Sequence, residues 1–313
     1  MVNVFITGAS GYVGSHVTAL LLKAGHKLIA LVRSQASAKK LEDEGVTVIR
    51  ASLEDTDVLS KAAHEADAVI HLGFIHDFSD FEKCLEIDYN TIQTFARALE
   101  GTSKTVLTTS GFLISSPSPS PSPAITEHTL TDGSGRGRSE PLTLSPTLKA
   151  SGVRAHVLRL ALTVHGEGDA GLLTFYIQQS KKLGFAGYLG EGDLRWPAVH
   201  VKDAARAFLL ALENPNKTLQ GGEILHVVQD SGVPFKSIAE AVAKRWDIPS
   251  KSLTKEEAEQ SYEWLAPFFW GQDLVAESGL TRKWLGWEPE EKGLVKDLES
   301  SEWYFKEGVA FKY

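Results

Sequence analysis

The sequence predicts an α/β fold, a doubly wound parallel sheet with a smaller C-terminal lobe. Three observations carry that prediction. Through the first half, short strand-like runs alternate with segments of helical spacing. The strand-like runs are apolar almost without interruption, which suits a sheet covered on both faces. A trio of glycines, Gly8, Gly11 and Gly14, separates the first strand from the first helix.

The elements follow in order. Residues 2–7 are an apolar, β-branched strand; residues 12–23 place Val13, Val17, Leu20 and Leu21 at helical spacing. Residues 27–32 read as strand, 36–44 as helix, 46–49 as strand, 53–65 as helix and 68–72 as strand. A long helix at 81–99 and a strand at 105–109 complete the repeating β-α pattern, with Gly25, Gly45 and Gly101 at helix ends where a left-handed cap is expected. The pattern breaks at residues 116–123, SPSPSPSP, an extended and exposed segment because every second residue lacks an N–H donor. Two readings stand for it: a surface insertion, or a loop over a ligand site at the carboxyl end of a strand. Regular structure resumes with a strand at 154–162 and helices at 172–183 and 202–212. A strand at 224–228 and helices at 235–246 and 294–306 follow, and an aromatic stretch at 262–270 reads as either pocket lining or lobe core.

Composition limits the function classes. The 313 residues carry 32 Lys plus Arg against 40 Asp plus Glu, a formal charge of −8, which argues against nucleic acid as a partner. No run reaches the roughly 20 apolar residues of a membrane span, and the N-terminus lacks a basic leader, so the expected location is cytoplasmic. Cys84 is the only cysteine, and the histidines have no metal-ligand spacing, so neither a disulfide nor a metal site is expected. All seven tryptophans lie at or beyond Trp196, which sets the C-terminal part apart chemically.

The turn Thr7-Gly8-Ala9-Ser10-Gly11-Tyr12-Val13-Gly14 has a physical reading. The first glycine permits a tight turn, the second lets a diphosphate approach the backbone, and the third allows close helix–strand packing. The helix N-terminus then presents N–H groups and the positive end of its dipole. Gly8, Ser10, Gly11, Tyr12, Val13 and Gly14 are therefore cofactor-binding candidates.

The G-x-x-G-x-x-G spacing in TGASGYVGSHV resembles the opening of the extended short-chain dehydrogenases/reductases, which include the NAD-dependent epimerases and dehydratases. VIHLGF at 69–74, VLTTSG at 106–111, VLRLALTVHGEGD at 157–169 and RWPAVHVKDAARA at 195–207 continue the resemblance in order along the chain. It implies a dinucleotide-binding core at 1–165 and a mainly substrate-binding lobe at 166–313, with the strand near 224–228 returning to the main sheet. The carboxylate that NAD-preferring members place at the end of the second strand is replaced by Val32. Arg33 and Ser34 follow, with Lys39 and Lys40 nearby, which favours NADP(H) over NAD(H) unless Arg33 is a solvated surface residue. By resemblance, Ser52, Leu53, His71 and Leu72 line the adenine and ribose, and Gly73 and Thr108 also belong to the cofactor site.

The resemblance also exposes a gap. The family's usual Tyr-x-x-x-Lys pair is absent, for no tyrosine occurs between Asn90 and Phe175. Ser110, with Thr109 beside it, matches the residue that orients the substrate oxygen. Arg136 and Glu140 fall where the tyrosine and lysine belong. A guanidinium does not exchange protons usefully, so Arg136 is either a carboxylate- or enolate-binding group or an exposed loop residue. Pro141 and Pro146 disfavour a long helix there, which leans the expectation toward a monomer, since members often pair through that helix.

Other candidates sit at strand ends. His76 is an available acid–base group, Phe74 and Asp77 beside it are substrate-side candidates, and capping is the alternative for Asp77. His165 follows the sixth strand, where the family often turns a Tyr-Gly pair toward substrate. Tyr176, Arg195 and Trp196 are expected to face the cleft from the C-terminal lobe, while His200 and Asp203 read as structural. The leading expectation is an NADP(H)-dependent oxidoreductase acting on a small, fairly apolar carbonyl or conjugated substrate. A non-redox isomerase, dehydratase or cyclase, and a non-catalytic dinucleotide sensor, are the alternatives.

Overall fold

A computed structural model describes residues 1–112, 122–131, 137, 139–214, 216–263, 266 and 272–311. The SPSPSPSP run except Ser122 and Pro123, Arg136 and most of the aromatic stretch lie outside them. The N-terminal part alternates strictly: β1 (Asn3–Thr7), α1 (Tyr12–Lys23), β2 (Lys27–Val32), α2 (Gln35–Asp43), β3 (Thr47–Arg50), α3 (Thr56–Glu65), β4 (Ala68–His71), α4 (Phe81–Leu99) and β5 (Thr105–Gly111). Two short helices, α5 (Glu140–Thr143) and α6 (Pro146–Ala150), lead to β6 (Arg154–Leu160) and β7 (Thr163–His165). Then come α7 (Leu172–Leu183), β8 (Ala186–Leu189), β9 (Arg195–His200), α8 (Val201–Glu213), β10 (Ile224–Val227), β11 (Asp230–Pro234), α9 (Phe235–Trp246) and β12 (Ser250–Leu253).

Seven strands form one parallel sheet in the order β10-β6-β5-β4-β1-β2-β3. The chain winds outward in both directions from β1, so the order reverses between β1 and β4 and a crevice opens at their carboxyl ends. The unbroken apolar strands are explained by two covered faces. In β1, Val4 and Ile6 join a core with Val17 and Leu21 of α1 and Phe208 of α8. Phe5, pointing the other way, packs with Leu59 of α3 and with Phe95 and Leu99 of α4. A third core belongs to the C-terminal lobe, where Tyr176, Trp196, Phe235 and Tyr262 are fully or almost fully buried. Two small sheets, β11-β9-β7 and β12-β8, brace that lobe.

Three boundaries depart from the sequence reading. The helix expected from residue 53 starts at Thr56, because the Asp55 carboxylate accepts bonds from the Ser52 N–H and hydroxyl and holds those residues in a turn. The helix expected to run to 306 is Leu294–Ser300; Ser301 turns extended, and Trp303 and Tyr304 swing back toward the loop after β7. The short strands β8, β11 and β12 carry too few alternating residues to stand out in sequence. No helix of the described residues is long and apolar enough to cross a membrane.

Candidate functional site

The glycine turn is built as its spacing requires. Gly8 has φ +76°, and a Cβ there would sit 2.6 Å from the Leu72 carbonyl carbon and the Gly73 nitrogen. A Cβ on Gly14 would overlap the Gly8 carbonyl, so the first turn of α1 closes directly on the loop. Gly11 occupies the N-cap position and supplies no side-chain bond, which leaves the first-turn N–H groups of α1 available to an anion. The Thr7 hydroxyl steadies the loop from below, accepting the Gly73 N–H at 3.0 Å.

This turn forms one wall of a cleft of about 600 Å³ at the sheet's switch point. At one end lie Val32, Arg33, Ala51 and Leu53, with Leu72 and Gly73 along the middle. At the other end, Thr109, Ser110 and Phe112 of the β5 exit face Leu162 and Val164, with Leu172 and Leu173 of α7. Phe74, Ile75, His76 and Phe81 close the third side. The far end is therefore largely apolar, with the hydroxyls of Thr109, Ser110 and Thr163 on its walls. Among the described residues, Tyr12 is the sole tyrosine on these walls and Asp169 the sole carboxylate.

The structure brings the sequence candidates together unevenly. Gly8, Ser10, Gly11, Tyr12, Val13, Gly14, Arg33, Leu53, Leu72 and Gly73 line the cleft, as do Thr109, Ser110, His76 and Phe74. His71 does not: it is buried beneath, its Nδ1 sharing a 2.6 Å hydrogen bond with the Thr7 hydroxyl and its Nε2 facing Asp88 at 3.3 Å. Thr108 points into the sheet's other face, toward the Thr143 hydroxyl at 3.1 Å. Ser34 caps α2 by accepting the Ser37 N–H, and Ser52 is spent on Asp55. Asp77 caps the short turn at Phe78–Asp80, accepting from the Ser79 N–H and hydroxyl, which hold its carboxyl below the ordinary range.

The substrate-side expectations from the lobe are corrected more strongly. His165 is fully buried off the cleft, its Nδ1 bonded to the Asp297 carboxylate at 2.8 Å. Tyr176 donates to the Gly187 carbonyl and stacks on Tyr262 in the lobe core, where burial raises its hydroxyl well above the ordinary value. Arg195 makes a double bond pattern to Asp273, at 3.0 and 2.8 Å, and Trp196 packs edge-on against Phe235. In each case a partner within the lobe claims a side chain that sequence position alone directed at the cleft. Arg136 lies outside the described residues.

Glu140, at the position where the resemblance puts the family's lysine, is held in a structural ion pair. Glu140 opens α5 with Pro141 behind it, and its carboxylate receives two bonds from the Arg159 guanidinium, at 2.9 and 2.6 Å. Both side chains are almost completely buried, and Arg159 also donates to the Thr129 carbonyl. Burial beside this guanidinium pushes His226 down to about 3, so that imidazole stays neutral. Glu140 is thereby withdrawn from any chemistry in the cleft.

One functional candidate escaped the sequence reading. Asp169, in the Gly-Glu-Gly-Asp-Ala-Gly loop after β7, lies on the cleft wall behind Tyr12. Its carboxylate accepts the Gly171 N–H at 2.8 Å and the Tyr304 hydroxyl at 3.0 Å. Burial nevertheless raises it to about 6, against the pull of those two donors. The sequence signal was available as an acidic residue in a glycine-rich loop at a strand exit; its burial depends on Tyr304, which is 135 residues away.

Comparison with known proteins extends the picture. A model of the NmrA-like family matches residues 2–96. The uncharacterized protein C2A9.02 of Schizosaccharomyces pombe is 38% identical over 96% of this chain and 100% of its own length. A sterol-4-alpha-carboxylate 3-dehydrogenase (decarboxylating) of Dictyostelium discoideum is 24% identical over 90% of both chains. Among solved structures, the UDP-glucuronic acid 4-epimerase of Bacillus cereus, in complex with UDP-glucuronic acid and NAD, superposes with a TM-score of 0.75. It is 19% identical, and the match covers 97% of this chain and 98% of that one.

Proposed function

The chain belongs to the extended, atypical short-chain dehydrogenases/reductases, and from that premise we propose that it is an NADP(H)-dependent oxidoreductase acting on a small, fairly apolar carbonyl or conjugated compound. The observation that carries this reading is the cleft itself. A backbone cradle that only glycine fits opens onto a largely apolar end with the buried Ser110 hydroxyl in its wall. The dehydrogenase among the relatives supports redox chemistry in this fold, and the epimerase in complex with NAD supports a dinucleotide as the ligand.

The residues fit such a ligand. The N–H groups of the first turn of α1 meet a diphosphate, while Leu53, Leu72 and Ala51 offer an apolar seat to an adenine. Arg33 follows β2 on the cleft, and Lys40 approaches the glycine turn from α2 beside Ser10 and Gly11. Lys39 turns away to Asp43 at 3.1 Å. Two cations with no cleft carboxylate at this end favour a 2′-phosphate over a free 2′-hydroxyl. When bound, the nicotinamide supplies the hydride. The chain's own part is positional: Ser110 donates a hydrogen bond to the substrate oxygen, and the apolar wall from Leu162 to Leu173 excludes bulk water. In place of the family's tyrosine, the proton reaches that oxygen from exposed His76 or a water it orders.

The test is binding, then turnover. NADPH is expected to bind more tightly than NADH, and Arg33→Ala with Lys40→Ala to erase that preference by weakening NADPH about 10- to 100-fold. A panel of small aldehydes, ketones and quinones is expected to yield NADPH consumption. Binding of neither nucleotide refutes the cofactor assignment, and bound NADPH that survives the whole panel unoxidised refutes the oxidoreductase.

A further inference from the structure

The glycine turn has a second side, away from the sheet. There a separate cavity of about 680 Å³ lies between the start of α1 and the C-terminal segment. Ser10, Tyr12 and His16 form one wall, Lys40 enters from α2, and Lys306 to Ala310 form the roof. We propose that residues 303–311 complete the dinucleotide site, with Lys306 and Lys40 together holding a phosphate of the bound nucleotide. This rests on the cofactor reading above and adds to it a ligand contributed by the far end of the chain.

Three observations carry the inference. The segment is pinned at both ends and free between them. Tyr304 is fully buried, its hydroxyl donating to Asp169 and accepting the Gly166 N–H at 2.8 Å; the Trp303 indole donates to the Asp169 carbonyl at 2.9 Å. Gln178 secures the Tyr304 carbonyl, and Arg245 stacks over Phe305 at 4.5 Å. Downstream, Phe311 packs edge-on against Phe175 and itself lines the large cleft, so the segment reaches both cavities. Between these anchors, residues 306–308 and Ala310 are exposed in front of the turn that presents its N–H groups to an anion.

The second observation is charge. Lys306 sits with its ammonium 4.0 Å from the centre of the Trp303 ring, and both residues line the cavity. Among the described residues, neither Lys306 nor Lys40 has a carboxylate partner, and Glu307 is the only acid on the cavity's walls. Two ammonium groups without a carboxylate partner beside a helix N-terminus are an arrangement for an anion. The third observation is the anchoring residue: Asp169 belongs to the wall of the large cleft, so the segment's fixed point is part of the same site that it roofs.

The experiment titrates NADPH and NADH against the full-length protein, following nucleotide fluorescence and tryptophan quenching. Lys306→Gln is expected to weaken binding about five- to tenfold, Lys306→Arg to leave it unchanged, and a chain ending at Phe305, which keeps Trp303 and Tyr304 but removes Phe311, to weaken it at least tenfold. Loss confined to NADPH assigns Lys306 to the 2′-phosphate, whereas equal loss for NADH assigns it to the diphosphate. Trypsin cleavage after Lys306 is expected to slow when NADPH is present. The inference is overturned if Lys306→Gln and the shortened chain bind both nucleotides as the unaltered protein does and cleavage ignores the nucleotide, and the cofactor reading survives that result. If the unaltered protein binds neither nucleotide, both fall together.

Discussion

The two ends of the large cleft are made of different material. At the glycine end the ligand meets backbone: N–H groups, a tight turn and positions where no side chain fits. At the Ser110 end it meets side chains brought from β5, the β6–β7 passage, α7 and the C-terminal segment. A backbone site is specified by a dozen consecutive residues. A side-chain site is specified by how distant segments pack, and small changes in packing redirect it. The glycine end should therefore fail as a unit when its geometry is touched, and the other end should separate stability from binding.

The largest effect is expected at the buried Glu140–Arg159 ion pair. Glu140→Gln leaves the Arg159 guanidinium buried without its counter-charge, a change that typically costs about 3–5 kcal/mol. Chemical denaturation is expected to show that loss, while NADPH affinity at a permissive temperature stays within about twofold of the unaltered protein. Equal loss of affinity would mean that this region is part of the binding site and that the division drawn above is misplaced. Gly8→Ala is the converse. Its Cβ would meet the Leu72 carbonyl carbon at 2.6 Å at a φ of +76°, so NADPH binding is expected to fall at least 100-fold, with a stability loss of about 1–3 kcal/mol.

These contrasts explain what could be read from the sequence. The doubly wound sheet, the span of α4 at Phe81–Leu99 and of α7 at Leu172–Leu183, and the glycine turn all follow from local periodicity or spacing. Tyr176, Arg195 and Trp196 were misdirected because their sequence positions place them near the cleft, whereas Gly187, Asp273 and Phe235 claim them in three dimensions. His71 was misdirected for the same reason on a smaller scale. It ends a strand beside the cleft, but Thr7 and Asp88 hold its ring beneath the floor. Asp169 was overlooked because nothing in its neighbourhood reveals that Tyr304 will bury it.

Asp169 also gives the cleft wall a pH signature. Its native value of about 6 exceeds the ordinary 3.8, so the native state holds the proton that the unfolded chain has released between those values. Its contribution is therefore most favourable at low pH and is lost as pH rises through about 4 to 6. His226, held near 3 rather than 6.5, works in the opposite sense, losing stability as pH falls below about 6.5. Asp169→Asn is expected to remove the first slope and leave the second, raising stability above pH 7 relative to that at pH 4 by up to about 3 kcal/mol. Denaturation midpoints across pH 4–8 check this, and an unaltered slope in the variant would place the proton elsewhere.

The smallest effect is expected at Ser110, and it bears most directly on the chemistry. The hydroxyl is buried in the β5 wall of the cleft, and a neutral hydrogen bond to a substrate oxygen contributes on the order of 1 kcal/mol. Ser110→Ala is therefore expected to lower kcat on a reducible carbonyl about 5- to 10-fold, with NADPH affinity unchanged and Ser110→Thr restoring part of the loss. His76→Gln should then act through a different limb, lowering kcat and flattening its pH profile while NADPH affinity is unchanged. If Ser110→Ala instead weakens NADPH and leaves turnover intact, the serine belongs to the backbone-built end of the cleft. The substrate oxygen would then have to be held by another group of that wall, the Thr109 or Thr163 hydroxyl. That outcome would move the border between the two ends across β5 and leave Thr109 as the remaining hydroxyl on that strand's cleft wall.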